Sequence, residues 1–434
     1  MSYTMTLPSN RSHRWKVLGI GVAANASFSA AFLGIPTTAV LMRTAYGLDN
    51  AHLGLVLGLL GLGIAVSELP WGLLTDSWGD RRVLLTGLGT TAAALAMMSA
   101  WASPHGAYVP AFYYLALSML VVGVLGGSVN GSSGRAVMSW FDEGERGLAM
   151  SIRQIAVPLG GGLGAAVLPY VAGRWGFVAV FATLAAVCAV TTSFVWLWVY
   201  EPPKEDAPHS IGSGAASVAA PRSPLKDPVI WGLVVGMGVL CIPQFAVLTF
   251  ATVFLHDYGR ASIPFISATM SAIQMLAIVL RVLGGRWTDK RRNRREYLRL
   301  CCVTSLLSFG LLGAVAGWHA LVASGYGATA LSIIIAIAGL LVMAWQGVAY
   351  AELATLAGTS RAGTALGMAN TFMYTAFFLV PAVIPWMIAV WSWPVVWFAA
   401  AVCGAVTYFL FPRPLKTAVV RVEKGAAWQA SGHE

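Results

Sequence analysis

Charged side chains are what this chain has least of. Only 10% of its 434 residues are Asp, Glu, Lys or Arg, against about 25% in a soluble domain. With 58% hydrophobic residues and a mean hydropathy of +0.73, it lacks the polar surface to be solvated as a globule. Cysteine is scarce as well. Cys188, Cys241, Cys301, Cys302 and Cys403 fall in apolar stretches at no spacing suited to zinc. Adjacent Cys301 and Cys302 cannot make an ordinary disulfide. All five read as small packing residues. A G-x-x-x-x-G-K-[ST] phosphate loop is missing, which argues against ATP-driven transport, and so are a nucleophile elbow and an H-E-x-x-H pair. The seven histidines sit in loops, tails or span ends and make no metal pattern. The expectation is a protein that is not an enzyme and needs no cofactor or metal.

Long apolar runs, by contrast, recur along the whole chain. Each has about 20 residues, enough to cross a bilayer core of roughly 30 Å, and lipid cannot satisfy free backbone groups, so the runs must be helices. Twelve spans are expected: Trp15–Met42, His52–Thr75, Arg82–Trp101, Tyr108–Trp140, Gly147–Gly173, Gly176–Tyr200, Pro228–His256, Ile263–Arg286, Tyr297–Trp318, Ala328–Leu356, Gly363–Val390 and Trp393–Phe411. The first is too long for a cleavable leader, and no A-x-A-like site follows it. The fold class is therefore all-α and polytopic, in the lipid bilayer.

The net charge of +10 follows from topology. With both termini in the cytoplasm, only Arg43, Arg174 and Arg260 fall outside and three arginines lie within spans. The remaining Lys and Arg residues face the cytoplasm, as the positive-inside rule requires. No soluble basic domain exists to hold nucleic acid. Residues Arg291–Arg299 form the densest basic patch, read as a topology anchor against anionic headgroups. The one long polar linker, 201–227, is rich in Pro, Ser, Ala and charge and has the composition of a tether. It separates a six-span half (1–200) from a second six-span half (228–412), and a basic tail (413–434) follows.

The halves repeat one another. Gly72–Arg82 reads GLLTDSWGDRR and Gly285–Arg295 reads GRWTDKRRNRR, 213 positions apart. The same offset sets Glu68 opposite Arg281. An offset of 216 aligns Asn130-Gly131 with Gln346-Gly347, and Gly147, Ala149 and Gln154 with Gly363, Ala365 and Asn370. Duplication within a membrane protein points to a transporter of two related bundles.

On these residues the chain resembles the major facilitator superfamily over nearly its full length. The family's hairpin pattern G-x-x-x-D-[RK]-x-G-[RK]-[RK] is met by Gly72, Asp76, Gly79, Arg81 and Arg82, with departures at Ser77 and Asp80. The second copy keeps Gly285, Asp289 and Lys290 but has Arg292 where glycine is expected. The resemblance implies two pseudo-symmetric six-helix bundles, alternating access and a midplane site between the bundles. It also implies that the hairpins latch the cytoplasmic side. Asp76 or Asp289 would meet a helix amino terminus, and the neighbouring arginines would pair with Asp142, Glu143 or Glu145. Glu145–Pro158 (ERGLAMSIRQIAVP) is similar to the loop and fifth helix of organic-anion and nitrate or cyanate carriers in the superfamily. Pro158–Gly162 resembles the P-x-x-G-G end of a motif of proton-driven exporters.

Five ionisable side chains fall inside spans: Glu68, Arg135, Arg153, Arg281 and Glu352. An arginine at the centre of a lone helix costs about 2.5–3.5 kcal/mol, so each needs a partner or a wet cavity. In one reading the glutamates pair with arginines as a cytoplasmic gate. In the other, three arginines against two carboxylates leave a positive charge for an anionic ligand, whose oxygens match the guanidinium fork. Arg153 and Arg281 are the first candidates for the anion, and Arg135 joins them or shapes the gate. Burial raises a carboxyl pKa, so Glu352 first and Glu68 second are candidates to carry a proton. Asn25, Gln154, Gln244, Gln274 and Asn370 could complete the substrate site, with Trp345 and Tyr374 as walls; most other tryptophans suit the interfacial belt. Pro36, Pro243, Pro381 and Pro385 are expected to bend helices.

The reading is a monomeric secondary transporter of the inner membrane, not an enzyme. It moves a small organic anion, a carboxylate by preference, with protons. A proton-antiporting exporter of drug-like or metallophore compounds is the first alternative. A passive channel or transporter-like receptor is the second, although a channel does not account for duplicated hairpins.

Overall fold

The structure is a computed structural model and describes residues 11–141, 146–200, 224–322, 326–358 and 362–413. Among these residues it is helical throughout; the one β pairing is an isolated bridge between His105 and Tyr108. Eleven helices are long and apolar enough to cross a membrane. One of them, Ile152–Trp198, has 47 residues. At 1.5 Å per residue it would be more than twice the bilayer core. It turns back at Gly176 (φ 73°, ψ −173°), a conformation only glycine adopts readily. It therefore supplies two of the twelve spans expected from the sequence.

The spans are α1 (His13–Tyr46), α2 (Asn50–Thr75), α3 (Asp80–Trp101), α4 (Phe112–Val137), α5 and α6 on either side of Gly176, α7 (Pro228–Tyr258), α8 (Ile263–Arg291), α9 (Arg294–Gly317), α10 (Gly327–Ala357), α11 (Thr364–Val390) and α12 (Trp393–Leu410). Within the first half α1 packs on α5 and α4, α2 on α4, and α3 on α6; within the second, α7 packs on α11 and α12, and α9 on α12 and α10. The halves meet along α2 with α11 and α5 with α8. Asp49 starts α2: its carboxylate accepts the His52 N–H at 2.7 Å, and that bond holds the group below the usual carboxylate range.

The spans α1, α4, α7 and α10, one in every three, are irregular. In α1 the run Ile35–Thr38 is 3-10, with Pro36 in its first turn, and α7 ends in a π turn, Phe254–Tyr258. Span α4 is two helices, Phe112–Gly126 and Ser128–Trp140, where one continuous helix was expected; span α10 is likewise Gly327–Val342 and Gln346–Ala357. The breaks at Gly127 and Met343 lie one repeat, 216 residues, apart.

Contacts between the halves gather at the end carrying the α1–α2 and α7–α8 turns. Arg43 of α1 grips Asp257 of α7 through both nitrogens, at 2.5 and 2.7 Å, and donates to Asn50 at 2.8 Å. A Cβ at Gly54 would overlap the Pro381 carbonyl, and one at Gly61 the Phe377 ring, so α2 lies against α11 only because these positions are glycine. On the other seam Ser271 donates to the Gly162 carbonyl at 3.0 Å and Ser267 to that of Ala165. Thr252 reaches the Pro36 carbonyl at 3.4 Å. Toward the opposite end, which carries the two polar hairpins, the last hydrogen bonds joining the halves among the described residues are Asn370 to Glu68 and Asn130 to Tyr374. Among the described residues, the hydrogen bonds between the halves thus concentrate toward the turn end.

Candidate functional site

Breaking a helix frees backbone groups that an apolar interior must satisfy in another way. An arginine reaches each broken span, a buried one in the first half and a half-buried one in the second. In the first half Arg153 of α5 donates from Nε and Nη2 to the Ser133 hydroxyl, at 3.0 and 2.9 Å, and from Nη2 to the Asn130 carbonyl. In the second, Arg281 of α8 donates from Nε to the Met343 carbonyl at 3.0 Å and from Nη2 to Gln346 Oε1. Neither guanidinium makes an ion pair among the described residues, and Nη1 of each makes no hydrogen bond there. Both guanidiniums are hydrogen-bonded to neutral oxygens and not to a carboxylate.

Between the two arginines runs a chain of polar groups from both halves. Asn130 Nδ2 donates to the Tyr374 hydroxyl at 2.5 Å, and the Tyr350 hydroxyl donates to Asn370 Oδ1 at 2.6 Å. Asn370 Nδ2 donates to Glu68 Oε1 at 2.9 Å. The other carboxylate oxygen of Glu68, Oε2, is buried without a hydrogen bond. Arg153 feels the charge of Glu68 and is a neighbour of Tyr374 and Tyr350, and Arg281 is also a neighbour of Tyr350. The structure therefore brings together Glu68, Arg153, Arg281, Asn370 and Tyr374 from the sequence candidates. In front of the backbone at Gly131 and Gly347, one repeat apart, lies open space.

The remaining ionisable candidates sit nearer the hairpins. Arg135 pairs with Asp80 at the start of α3, Nε to Oδ1 3.1 Å, and Glu352 accepts from Arg295 Nε at 2.6 Å. The first pair uses the aspartate that departs from the family pattern. The second uses a hairpin arginine and not one within a span. In the latch motif, Arg81 donates to the Trp196 carbonyl at 2.9 Å and lies over Tyr200, while Arg82 is exposed. Among the described residues Asp289 pairs with Arg294 at 2.8 Å, five residues on. Gly72 and Gly285 face open space, and Gly79 joins α2 to α3 with φ 89°. The Asp76 side chain, Asp142, Glu143 and Glu145 lie outside the described residues.

The amides divide by depth. Asn25 and Gln244 are buried, with Oδ1 and Oε1 lacking partners, and Trp345 is fully buried in the α10 break with an unpartnered Nε1. Gln274 is buried on the turn-end seam against Gly161. Gln154 closes the short helix Arg146–Gln154. The cysteines are free, and four of the five are buried.

The Major Facilitator Superfamily profile matches residues 18–379. The chain belongs to that superfamily. Over 438 aligned residues it is 29% identical to an uncharacterised MFS-type transporter of Mycobacterium tuberculosis, covering 98% of this chain and 92% of that protein. A probable anion transporter 7 of Oryza sativa is 26% identical over 202 residues, 44% of each chain. In solved structures the superfamily fold is matched by the xylose transporter XylE of Escherichia coli in its inward-open conformation. The TM-score is 0.71 at 16% identity, over 93% of this chain and 98% of that one. The all-α, multi-pass architecture expected from the sequence is the architecture found.

Sequence reasoning missed Ser133, Tyr350, Arg295 and the Met343 carbonyl. Ser133 stands three residues after Asn130 and Tyr350 four after Gln346, the spacing that places a side chain on the same helix face. That periodicity could have found both. Nothing in the sequence announces the carbonyl.

Proposed function

We propose that this superfamily member is a proton-coupled carrier of small organic anions, carboxylates first, in the inner membrane with both termini cytoplasmic. One observation carries the proposal: two in-span guanidiniums, one from each half, the first buried and the second half-buried, have no carboxylate bound to them among the described residues. A cation in a low-dielectric interior attracts a mobile anion strongly, and each fork has an unused Nη1 to offer it. The breaks add to this, because they set two helix amino termini, at Ser128 and Gln346, halfway along α4 and α10. The helix dipole there favours negative charge.

Proton coupling follows from competition. Ionised Glu68 shares the field of Arg153 and opposes an incoming anion; protonated Glu68 does not. Proton and anion thus bind in mutual support, which is symport. Glu352, the first sequence candidate for the proton, is held by Arg295, and Arg135 by Asp80, which leaves these two pairs to set the hairpin end. In the alternating cycle the anion enters from the hairpin side, or from the other side once the Arg43–Asp257 closure opens.

A thermal-shift screen with carboxylates, phosphonates and cations tests the charge of the ligand, and counterflow in proteoliposomes tests the carrier. Stabilisation by anions and saturable exchange are expected. Stabilisation by cations alone overturns the arginine assignment, and unsaturable flux makes the protein a channel.

A further inference from the structure

Resting on that anion reading, we infer that the substrate is a dianion with two separated carboxylates, one for Arg153 and one for Arg281, taken up with Glu68 protonated. The inference comes from counting charge and from where it is fixed. Of the in-span charges, Arg135 and Glu352 are already paired with Asp80 and Arg295. Two guanidiniums and one carboxyl remain. With Glu68 protonated the site holds two positive charges, and a dianion leaves the loaded interior neutral. A monoanion would balance the site only with Glu68 ionised, and then no proton would travel with it; with Glu68 protonated it leaves one cation unbalanced in the low-dielectric interior, a costly state.

Position favours two carboxylates over one compact group. Each arginine is tied down by two acceptors on its own half: Ser133 and Asn130 on α4, Met343 and Gln346 on α10. Neither can swing freely toward the other, and the Tyr350 and Asn370 pair stands among them with its bond to Glu68. A linear molecule with an anionic group at each end can give each fork its own carboxylate without displacing these anchors. The groups facing Glu68 are Asn370 and Tyr374 of α11, Tyr350 of α10 and Arg153 of α5. Arg153 is the one permanent charge among them, so the Glu68 proton and the Arg153-bound carboxylate are linked directly.

Binding of acetate, succinate, glutarate and inorganic phosphate to the purified full-length protein, by calorimetry at neutral pH, tests this. A second charge-assisted fork predicts that succinate or glutarate binds roughly tenfold to a hundredfold more tightly than acetate. Arg281→Gln and Arg153→Gln should each bring the dicarboxylate down to the acetate level while acetate binding survives on the remaining arginine, which also reports that the variant is folded. Glu68→Gln should keep the dicarboxylate preference and lose its dependence on pH. Equal affinity for acetate and dicarboxylate, or a dicarboxylate preference that survives both arginine changes, overturns the two-carboxylate inference while leaving the anion carrier intact. Phosphate binding as tightly as succinate also overturns it, because the forks would then converge on one group. If no anion binds at all, the carrier reading itself falls.

Discussion

In the amino-terminal half, α4 breaks at Gly127, and just beyond the break an arginine from α5 donates to the Ser133 hydroxyl and the Asn130 carbonyl. In the carboxyl-terminal half, α10 breaks at the equivalent place and an arginine from α8 is the donor. Under the repeat, however, α5 corresponds to α11 and α8 to α2. The two clamps therefore come from helices that are not equivalent. On α2, the position matching Arg281 holds Glu68, and beside the position matching Arg153, on α11, stands Asn370. Duplication preserved the backbone irregularity and the need for a donor, but not the helix that supplies it. One half gained a cation and an anion, the other a cation alone.

That inequality can be broken in several ways. Arg153→Gln and Arg281→Gln should each lower proteoliposome uptake by about a hundredfold or more, since each removes a charge-assisted fork and strands buried acceptors at roughly 1–3 kcal/mol. Uptake surviving in one variant but not the other would show that only one half binds substrate. Glu68→Gln, which removes the acid of the central cluster, should keep counterflow within about threefold of the parent but abolish accumulation driven by a proton gradient. Continued accumulation would move the proton elsewhere.

The hairpin-end ion pairs sharpen the contrast in stability. Arg295→Ala leaves the carboxylate of Glu352, 9% exposed, without its cation and should cost about 3 kcal/mol. Arg135 is 41% exposed, so Arg135→Ala should cost about 1 kcal/mol. Thermal unfolding in detergent would show whether the order holds; equal losses would refute the burial argument. The smallest effect is at the turns. Gly79 (φ 89°, ψ 160°) lies where only glycine is at ease, whereas Arg292, 213 residues on, has φ 52° and ψ 35°, the left-handed helical region that other residues tolerate at modest cost. Arg292→Gly should therefore stabilise by about 1 kcal/mol and Gly79→Arg destabilise by at least as much, read from the same melts.

Much of this was legible without coordinates. Apolar run length dictates the spans, because nothing shorter crosses a bilayer, and the GLLTDSWGDRR and GRWTDKRRNRR repeats disclose the duplication. Glu68, Arg153 and Arg281 stand out because charge in lipid demands a reason. The breaks were harder to read. Gly126-Gly127 hints at one, but Met343-Ala344-Trp345 carries no breaker residue, and its interruption accompanies a hydrogen bond from Arg281 on another span. Glu352 was paired in expectation with in-span arginines because linear position does not tell how far Arg295 reaches. Arg43 looked like a topology marker; only the meeting of α1 and α7 makes it a fastener.

The serines of the α5–α8 seam bear on how such a molecule can open. Each hydroxyl gives a hydrogen bond to a carbonyl of α5. The residue four after Ala165 is Pro169, which has no N–H, so Ser267 supplies the donor that the helix itself lacks there. When the seam parts, Gly162 keeps the helical N–H of Ala166, and each serine can turn to the oxygen four residues back on its own helix. The Ala165 carbonyl alone gives up its donor. The seam behaves like a sprung catch: opening strains it at a single point, and shutting restores that point in every cycle.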